Sequence, residues 1–307
     1  MEETHNHHHH HHAHVHEVKS PGGIFILSIA LNAAFVAVEA GVGFWQGSLS
    51  LLSDAGHNLG DVFSLALVLA AFRLAAVRAS SRFTYGLRKS TVLISLLNAI
   101  ILLVAVGAII LESVHKFAEP APVNGVAVSW TAFVGIIING ATALLLMRGQ
   151  KGDINVRGAF LHMAADTLVS VGVVVSGLVI TFTGWTVVDP AVSLAIAAVI
   201  LFSTWQLLAE SLRLSLDGTP EGIEPERVRA AMEACPHVSG VHHLHIWAMS
   251  TTANALTAHV VIDSLDSMEQ AKAAVKAALA AEGIAHSTLE METEDCHCAD
   301  LGLRYGD

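Results

Sequence analysis

Two stretches, Ser53-Asp54-Ala55-Gly56-His57-Asn58-Leu59-Gly60-Asp61 and His162-Met163-Ala164-Ala165-Asp166, share the spacing H-x-x-x-D, and both sit inside long apolar runs. On a helix, residues four apart lie one above the other on the same face, so each stretch presents an imidazole beside a carboxylate. Two such helices facing each other supply two nitrogens and two oxygens, enough to close a tetrahedron around Zn²⁺ without a fifth ligand. His57, Asp61, His162 and Asp166 are therefore the candidate metal ligands.

The runs around these motifs decide the fold class. A bilayer core needs about 20 apolar residues per helix. Six stretches qualify: Gly23–Trp45, Leu49–Leu74, Thr91–Val114, Val126–Met147, Val156–Phe182 and Val187–Leu212. Between them lie the polar turn Gln46–Ser48, the Pro-rich loop Pro120–Asn124 and the charged loop Gly149–Asp153. At 1.5 Å per residue, His57 falls roughly 14 Å below the outer end of its helix and Asp166 roughly 16 Å above the inner end of its own. Both pairs then lie near the midplane, with His57 level with Asp166 and Asp61 level with His162. Charged groups at that depth each cost on the order of 3 kcal/mol and are retained for function rather than packing.

Other polar residues in the runs carry less. Asp54 suits either an outer access path to the site or a helix cap. Glu39, Asn32, Asn98 and Asn139 read as groups that hydrogen-bond helix to helix. Each motif falls in the middle span of a three-span half, the pattern of an inverted repeat with its site at the midplane.

Composition agrees with a membrane body. Of 307 residues, 53% are hydrophobic and only 14% charged, against roughly 25% charged in soluble domains. The charge is lopsided: from Asp217 onward there are five Lys/Arg against fifteen Asp/Glu, so nearly all of the formal −11 sits in the tail. No net basic domain exists to neutralise phosphates, which argues against nucleic acid as a partner. Arg73, Arg78, Arg82, Arg88 and Lys89 follow the second span and Arg148, Lys151 and Arg157 the fourth, whereas the other three loops hold only Lys116. Positive charge near helix ends stays cytoplasmic, so both termini are expected to face the cytoplasm of a cell whose inner membrane the protein spans.

Residues 1–20 lack the apolar core of a secretory signal, so the first span is expected to remain in the membrane. Nine of the nineteen histidines fall here: His5, His7 to His12, His14 and His16. A run of six also suits an affinity tag, but it begins at residue seven, is interleaved further on, and has no protease-site linker. It reads as a native metal-capturing tail.

The chain thus divides into a His-rich tail (residues 1–20), a six-helix transmembrane domain (21–214) and a cytoplasmic α+β domain (215–307). In the last, Pro225–Cys235 and Ser267–Glu282 read as helices, and Val241–Met249, Leu256–Ile262 and Thr288–Glu292 as strands. The order αββαβ implies helices on one face of a small sheet. Strict alternation along the first strand would place His243 and His245 on one face and His242 on the other. His259, His286 and Glu292 lie on or beside the next strands, and Cys296-His297-Cys298 follows. Three cysteines, Cys235, Cys296 and Cys298, are too few for a disulfide framework. With seven histidines in the same region they point to a soluble metal site.

Taken together, these residues resemble the cation diffusion facilitator family. The resemblance rests on Gly47-Ser48-Leu49-Ser50-Leu51-Leu52 running into Ser53–Asp61, on Phe83-x-Tyr85-Gly86, on the second H-x-x-x-D, and on His245-Ile246-Trp247 and His286-Ser287-Thr288-Leu289-Glu290-Met291-Glu292. It implies a homodimeric exporter that exchanges cytosolic Zn²⁺ for H⁺, with a ferredoxin-like, metallochaperone-like cytoplasmic domain. It also implies His57, Asp61, His162 and Asp166 as the transport site, with His245, His259, His286 and Glu292 as tail ligands; Cys296 and Cys298 join them as candidates. One departure is visible. Where the family commonly has an acidic residue after the basic pair, this chain has Arg88-Lys89-Ser90-Thr91.

The expected function is secondary transport of Zn²⁺, with Cd²⁺ and Co²⁺ as further substrates and no organic cofactor. Ligands must lose protons to bind metal, which gives proton exchange a chemical basis. No G-x-x-x-x-G-K-[ST] is present to drive a pump with nucleotide. An intramembrane zinc hydrolase is the alternative, but H-E-x-x-H is absent and four protein ligands leave no position for a reactive water. A passive channel would need weaker binding than a closed tetrahedron provides.

Overall fold

A computed structural model describes residues 21–46, 49–118, 125–185 and 187–295. The His-rich segment, Cys296 and Cys298 lie outside these residues, as do the side chains of Asp54 and His57. Six long helices come first: α1 (Pro21–Gln46), α2 (Leu49–Ala75), α3 (Ser90–Ala118), α4 (Gly125–Leu146), α5 (Ile154–Thr183) and α6 (Val188–Ser215). They follow the six apolar runs to within a few residues, because apolar backbone in a bilayer must pair its own N–H and C=O groups. Among the described residues, four hold stretches long and apolar enough to cross a membrane, and Ala132–Leu146 of α4 is a shorter apolar helix. In α5 the run is interrupted by Arg157, His162 and Asp166. Outward-facing Val38, Val104, Leu111, Leu144, Val199 and Phe202 remain exposed, as lipid-facing side chains of a membrane protein do.

Packing sorts the helices into two groups. Phe25, Leu65, Val68, Leu146, Val156 and Met163 bury one another, so α1, α2, α4 and α5 form one bundle. Helices α3 and α6 pair with each other and lean on α5, through Val92, Leu102, Ile154 and Leu207 on the cytoplasmic-domain side and Val106, Ala165, Ala197 and Ile200 farther along. Ser95 and Ser211 hydrogen-bond between α3 and α6 at 2.9 Å.

The remaining chain folds as α7 (Pro225–Glu233), β1 (Val238–Ser250), β2 (Ala253–Ile262), α8 (Met268–Ala281) and β3 (Ile284–Thr293). Strands stand in the order β1-β2-β3, antiparallel between β1 and β2 and parallel between β2 and β3. Pro225 opens α7, where a missing N–H costs nothing. Ala271, Val275 and Leu279, four residues apart, form the buried stripe of α8. They pack with Val228 and Met232 of α7 on Leu244, Ile246, Leu256, Val260 and Ile262. Gly283, at φ +79°, ends α8 in a conformation that side chains disfavour.

Lys89 joins the two parts. Its ammonium donates to the carbonyls of Leu214 in α6 at 2.8 Å and Ala248 in β1 at 3.0 Å, and pairs with Asp217 at 2.6 Å. The acid that the α2–α3 loop lacks is thus supplied from the linker after α6. Cations near a helix C-terminus satisfy its open carbonyls. The Asp217 carboxylate is largely exposed, so the carbonyl contacts carry most of the stabilisation. Lys89→Met is expected to lose about 1–3 kcal/mol and to lower the unfolding temperature of the detergent-purified protein by about 2–4 °C. An unchanged melting curve would show that these bonds contribute nothing.

Candidate metal centre

Helices α2 and α5 bring Asp61, His162 and Asp166 together inside the bundle. His162 Nε2 lies 2.6 Å from Asp61 Oδ1 and 3.6 Å from Asp166 Oδ2. Donor atoms of all three residues lie within 4.8 Å of one another. Asp61 and His162 are 1% and 5% exposed, and Asp166 lies one helical turn beyond His162 with its side chain 15% exposed. Zn–N and Zn–O bonds of about 2.0–2.2 Å make the edge of a zinc tetrahedron roughly 3.4 Å. The His162–Asp166 separation already matches that edge, and a small rotation of Asp61 would match the other. His57 lies one turn before Asp61 on α2, with its side chain outside the described atoms.

Neighbouring polar residues hold these helices in place. Asn58 donates to Glu39 Oε2 at 2.8 Å, tying α2 to α1. Ser64 donates to Asn98 at 3.2 Å, tying α2 to α3. Asn32 donates to Thr142 at 3.2 Å, tying α1 to α4. Asn139 is buried in α4. On α5, Arg157 reaches Glu210 of α6 at 3.2 Å. A hydrogen bond that replaces water in an apolar surrounding fixes helix rotation, and rotation decides which face of α2 meets α5.

A second group of donors stands on the sheet of the cytoplasmic domain. His259 Nδ1 lies 2.6 Å from Glu292 Oε1, His242 Nε2 lies 3.3 Å from Glu292 Oε2, and Glu290 approaches His259 Nε2 at 3.5 Å. The rings of His242 and His259 are 5.2 Å apart and those of His243 and His259 5.0 Å apart. Strict alternation fails here. Pairing of β1 with β2 slips between His242 and His245, and His243 adopts φ +49°. That bulge inserts one extra residue and turns His242 and His243 toward His259 together. His245 instead pairs with Thr257 and lines a cavity of about 420 Å³ with Asp217, Pro225 and Trp247. His286 stands edge-on to Tyr85 of the α2–α3 loop, 5.7 Å between rings. Burial pulls the His242 imidazole below the usual histidine value; Glu292 opposes this, and His259 and His243 add to it. A neutral imidazole is the form that ligates metal.

Comparison with known proteins adds the lineage. The cation efflux transmembrane domain family matches residues 25–214, and the cation efflux protein cytoplasmic domain family matches residues 220–294. The chain belongs to the cation diffusion facilitator family. It is similar to the cadmium, cobalt and zinc/H⁺–K⁺ antiporter of Bacillus subtilis, 33% identical over 88% of this chain and 89% of that one. The metal cation efflux system protein CzcD of Cupriavidus metallidurans is 34% identical over 91% of this chain and 89% of its own. The zinc transporter ZitB of Escherichia coli is 34% identical over 92% and 90%. Members of this family are transporters and not enzymes, and the chain is a multi-pass membrane protein.

Of the sequence candidates in the tail, the structure groups His259 with Glu292 and adds His242, leaving His245 and His286 elsewhere on the domain. The signal that would have found His242 is the adjacent pair His242-His243, a place where a bulge lets both side chains share a face. Zinc titration of the purified protein should show the tail's capacity lowered by His242→Ala or His259→Ala and unchanged by His245→Ala or His286→Ala. The reverse ranking would move the soluble site to the other end of the sheet.

Proposed function

We propose that the protein exports Zn²⁺ from the cytoplasm in exchange for H⁺, with His57, Asp61, His162 and Asp166 as the transport site. The observation that carries this is the convergence of Asp61, His162 and Asp166 from two helices within an apolar bundle. Buried carboxylates and imidazoles are costly unless a cation or a proton accompanies them, and exchange between those two partners is what an antiporter needs. Cadmium, cobalt and zinc figure in the names of its relatives, and all three ions fit nitrogen and oxygen donors, so Cd²⁺ and Co²⁺ are further substrates. Both termini face the cytoplasm from the inner membrane, in keeping with the basic residues of the α2–α3 and α4–α5 loops.

The three-part division at residues 20 and 214 assigns the rest. Residues 1–16 capture metal without forming the path, and the domain from residue 215 pairs with that of a second subunit, binding Zn²⁺ at His242, His259 and Glu292. Cys296 and Cys298 follow Glu292 closely enough in sequence to join that set. The net negative charge of two tails opposes their approach, and bound cations relieve it.

Reconstituted vesicles with an imposed pH gradient test the central reading. Asp61→Ala or His162→Ala is expected to abolish zinc flux while the protein remains folded; flux at the wild-type rate in either variant would overturn the site. Deleting residues 1–16 is expected to reduce flux only at scarce zinc. Complete loss at every concentration would place an essential ligand in that segment.

A further inference from the structure

The tip of the β1–β2 hairpin touches both helix groups through one residue. Thr251 donates its backbone N–H to Thr91 Oγ1 near the start of α3 at 3.1 Å. Its hydroxyl donates to Asp153 Oδ2, just before α5, at 2.9 Å. Asn155 Nδ2 stands 3.5 Å from the same hydroxyl. The other oxygen of Asp153 accepts from the backbone N–H of Asn155 at 2.7 Å, closing the first turn of α5. Asn155 is fully buried and Asp153 and Thr251 are partly buried, which limits the competition of water for these bonds. Burial raises the Asp153 carboxyl above its usual range, opposed by the hydrogen bonds from Asn155 and Thr251. A carboxylate kept at some cost in a protected position is one whose bonds are worth keeping.

The consequence follows from the stiffness of a helix. His162 and Asp166 lie nine and thirteen residues after Asp153 on the same chain segment, roughly 14 and 20 Å along α5 at 1.5 Å per residue. Asp61 stands on a different helix, so the donor set closes only if α5 is held at the right height and rotation. Met163 and Ala165 pack beside the donors within the bundle, and the bonds at Asp153 add a constraint at the start of the same helix. Sites of this kind tolerate displacements of only about 0.5 Å.

We propose that Thr251 and Asp153 are positioning residues for transport, the hairpin tip setting where α5 stands against α3 and so where His162 and Asp166 meet Asp61. This rests on the transport role of those donors. A loosened α5 widens the donor set, which weakens zinc binding more than it weakens binding of the larger Cd²⁺. The signature is therefore a change in half-saturating concentration and in metal preference, whereas a role in folding alone would lower the amount of active protein and hence only the maximal rate.

The test is flux of Zn²⁺ and Cd²⁺ into vesicles carrying the full-length protein, measured for wild type, Thr251→Val, Thr251→Ser, Asp153→Asn and the Thr251→Val/Asp153→Asn double variant. Thr251→Val keeps the backbone bond to Thr91 and removes only the hydroxyl. It is expected to raise half-saturating zinc about three- to tenfold, at or below the lower end of effects from groups that orient metal ligands, and to raise it less for cadmium. Thr251→Ser is expected to restore wild-type values. Asp153→Asn keeps one carbonyl oxygen, too few to serve both Thr251 and Asn155, so it should raise half-saturating zinc at least as much as Thr251→Val, and the double variant should fall short of the sum of the two because they share the Thr251–Asp153 bond. Unchanged half-saturation and preference in Thr251→Val, or additive losses in the double variant, would overturn the proposal. If Thr251→Val does not reach the membrane, unchanged half-saturation and preference in Asp153→Asn would overturn it equally. A wild-type protein that moved no zinc would overturn the transport reading, and this inference with it.

Discussion

Asp61 and His162 meet at 2.6 Å with almost no exposed surface, and much of the membrane domain can be understood as the means of making that contact tolerable. A carboxylate within an apolar bundle is costly unless a positive partner or several hydrogen bonds accompany it. Here the partner comes from another helix, and Asp166 brings a second carboxylate within one turn. Two acids around one imidazole leave an excess of negative charge that a divalent cation or protons can balance. The same constraint explains the interhelical ties from Asn58, Ser64 and Asn32: a site made from two helices exists only while their rotations are fixed.

Among the described residues, partly buried bonds fasten the cytoplasmic domain to the helices. Lys89 links α3, the end of α6 and β1, and Thr251 links α3 to the start of α5. Both lie at the same end of the hairpin, whereas His242 and His259 lie farther along the same two strands. The bulge at His243 is one of three places where the pairing of β1 with β2 departs from regular register.

The sequence by itself determined the membrane body and the order of elements. Apolar runs of bilayer length, broken by charge, glycine or proline, admit few structures other than helices. The H-x-x-x-D spacing placed His162 one turn from Asp166 because helical geometry is local. In the same way, alternating β-branched residues and an alanine-rich stripe were enough to order the tail as αββαβ. Tertiary structure alone decided which residues of distant segments meet. Lys89 reaches a linker acid more than a hundred residues away, and Thr251 meets Thr91 and Asp153 at a hairpin tip whose sequence carries no periodic signal. His242 joins His259 because one bulge shifts the register by a residue, and a shift of one residue exchanges the faces of a strand. Local periodicity cannot encode such an irregularity, since it arises from how two strands are forced to pair.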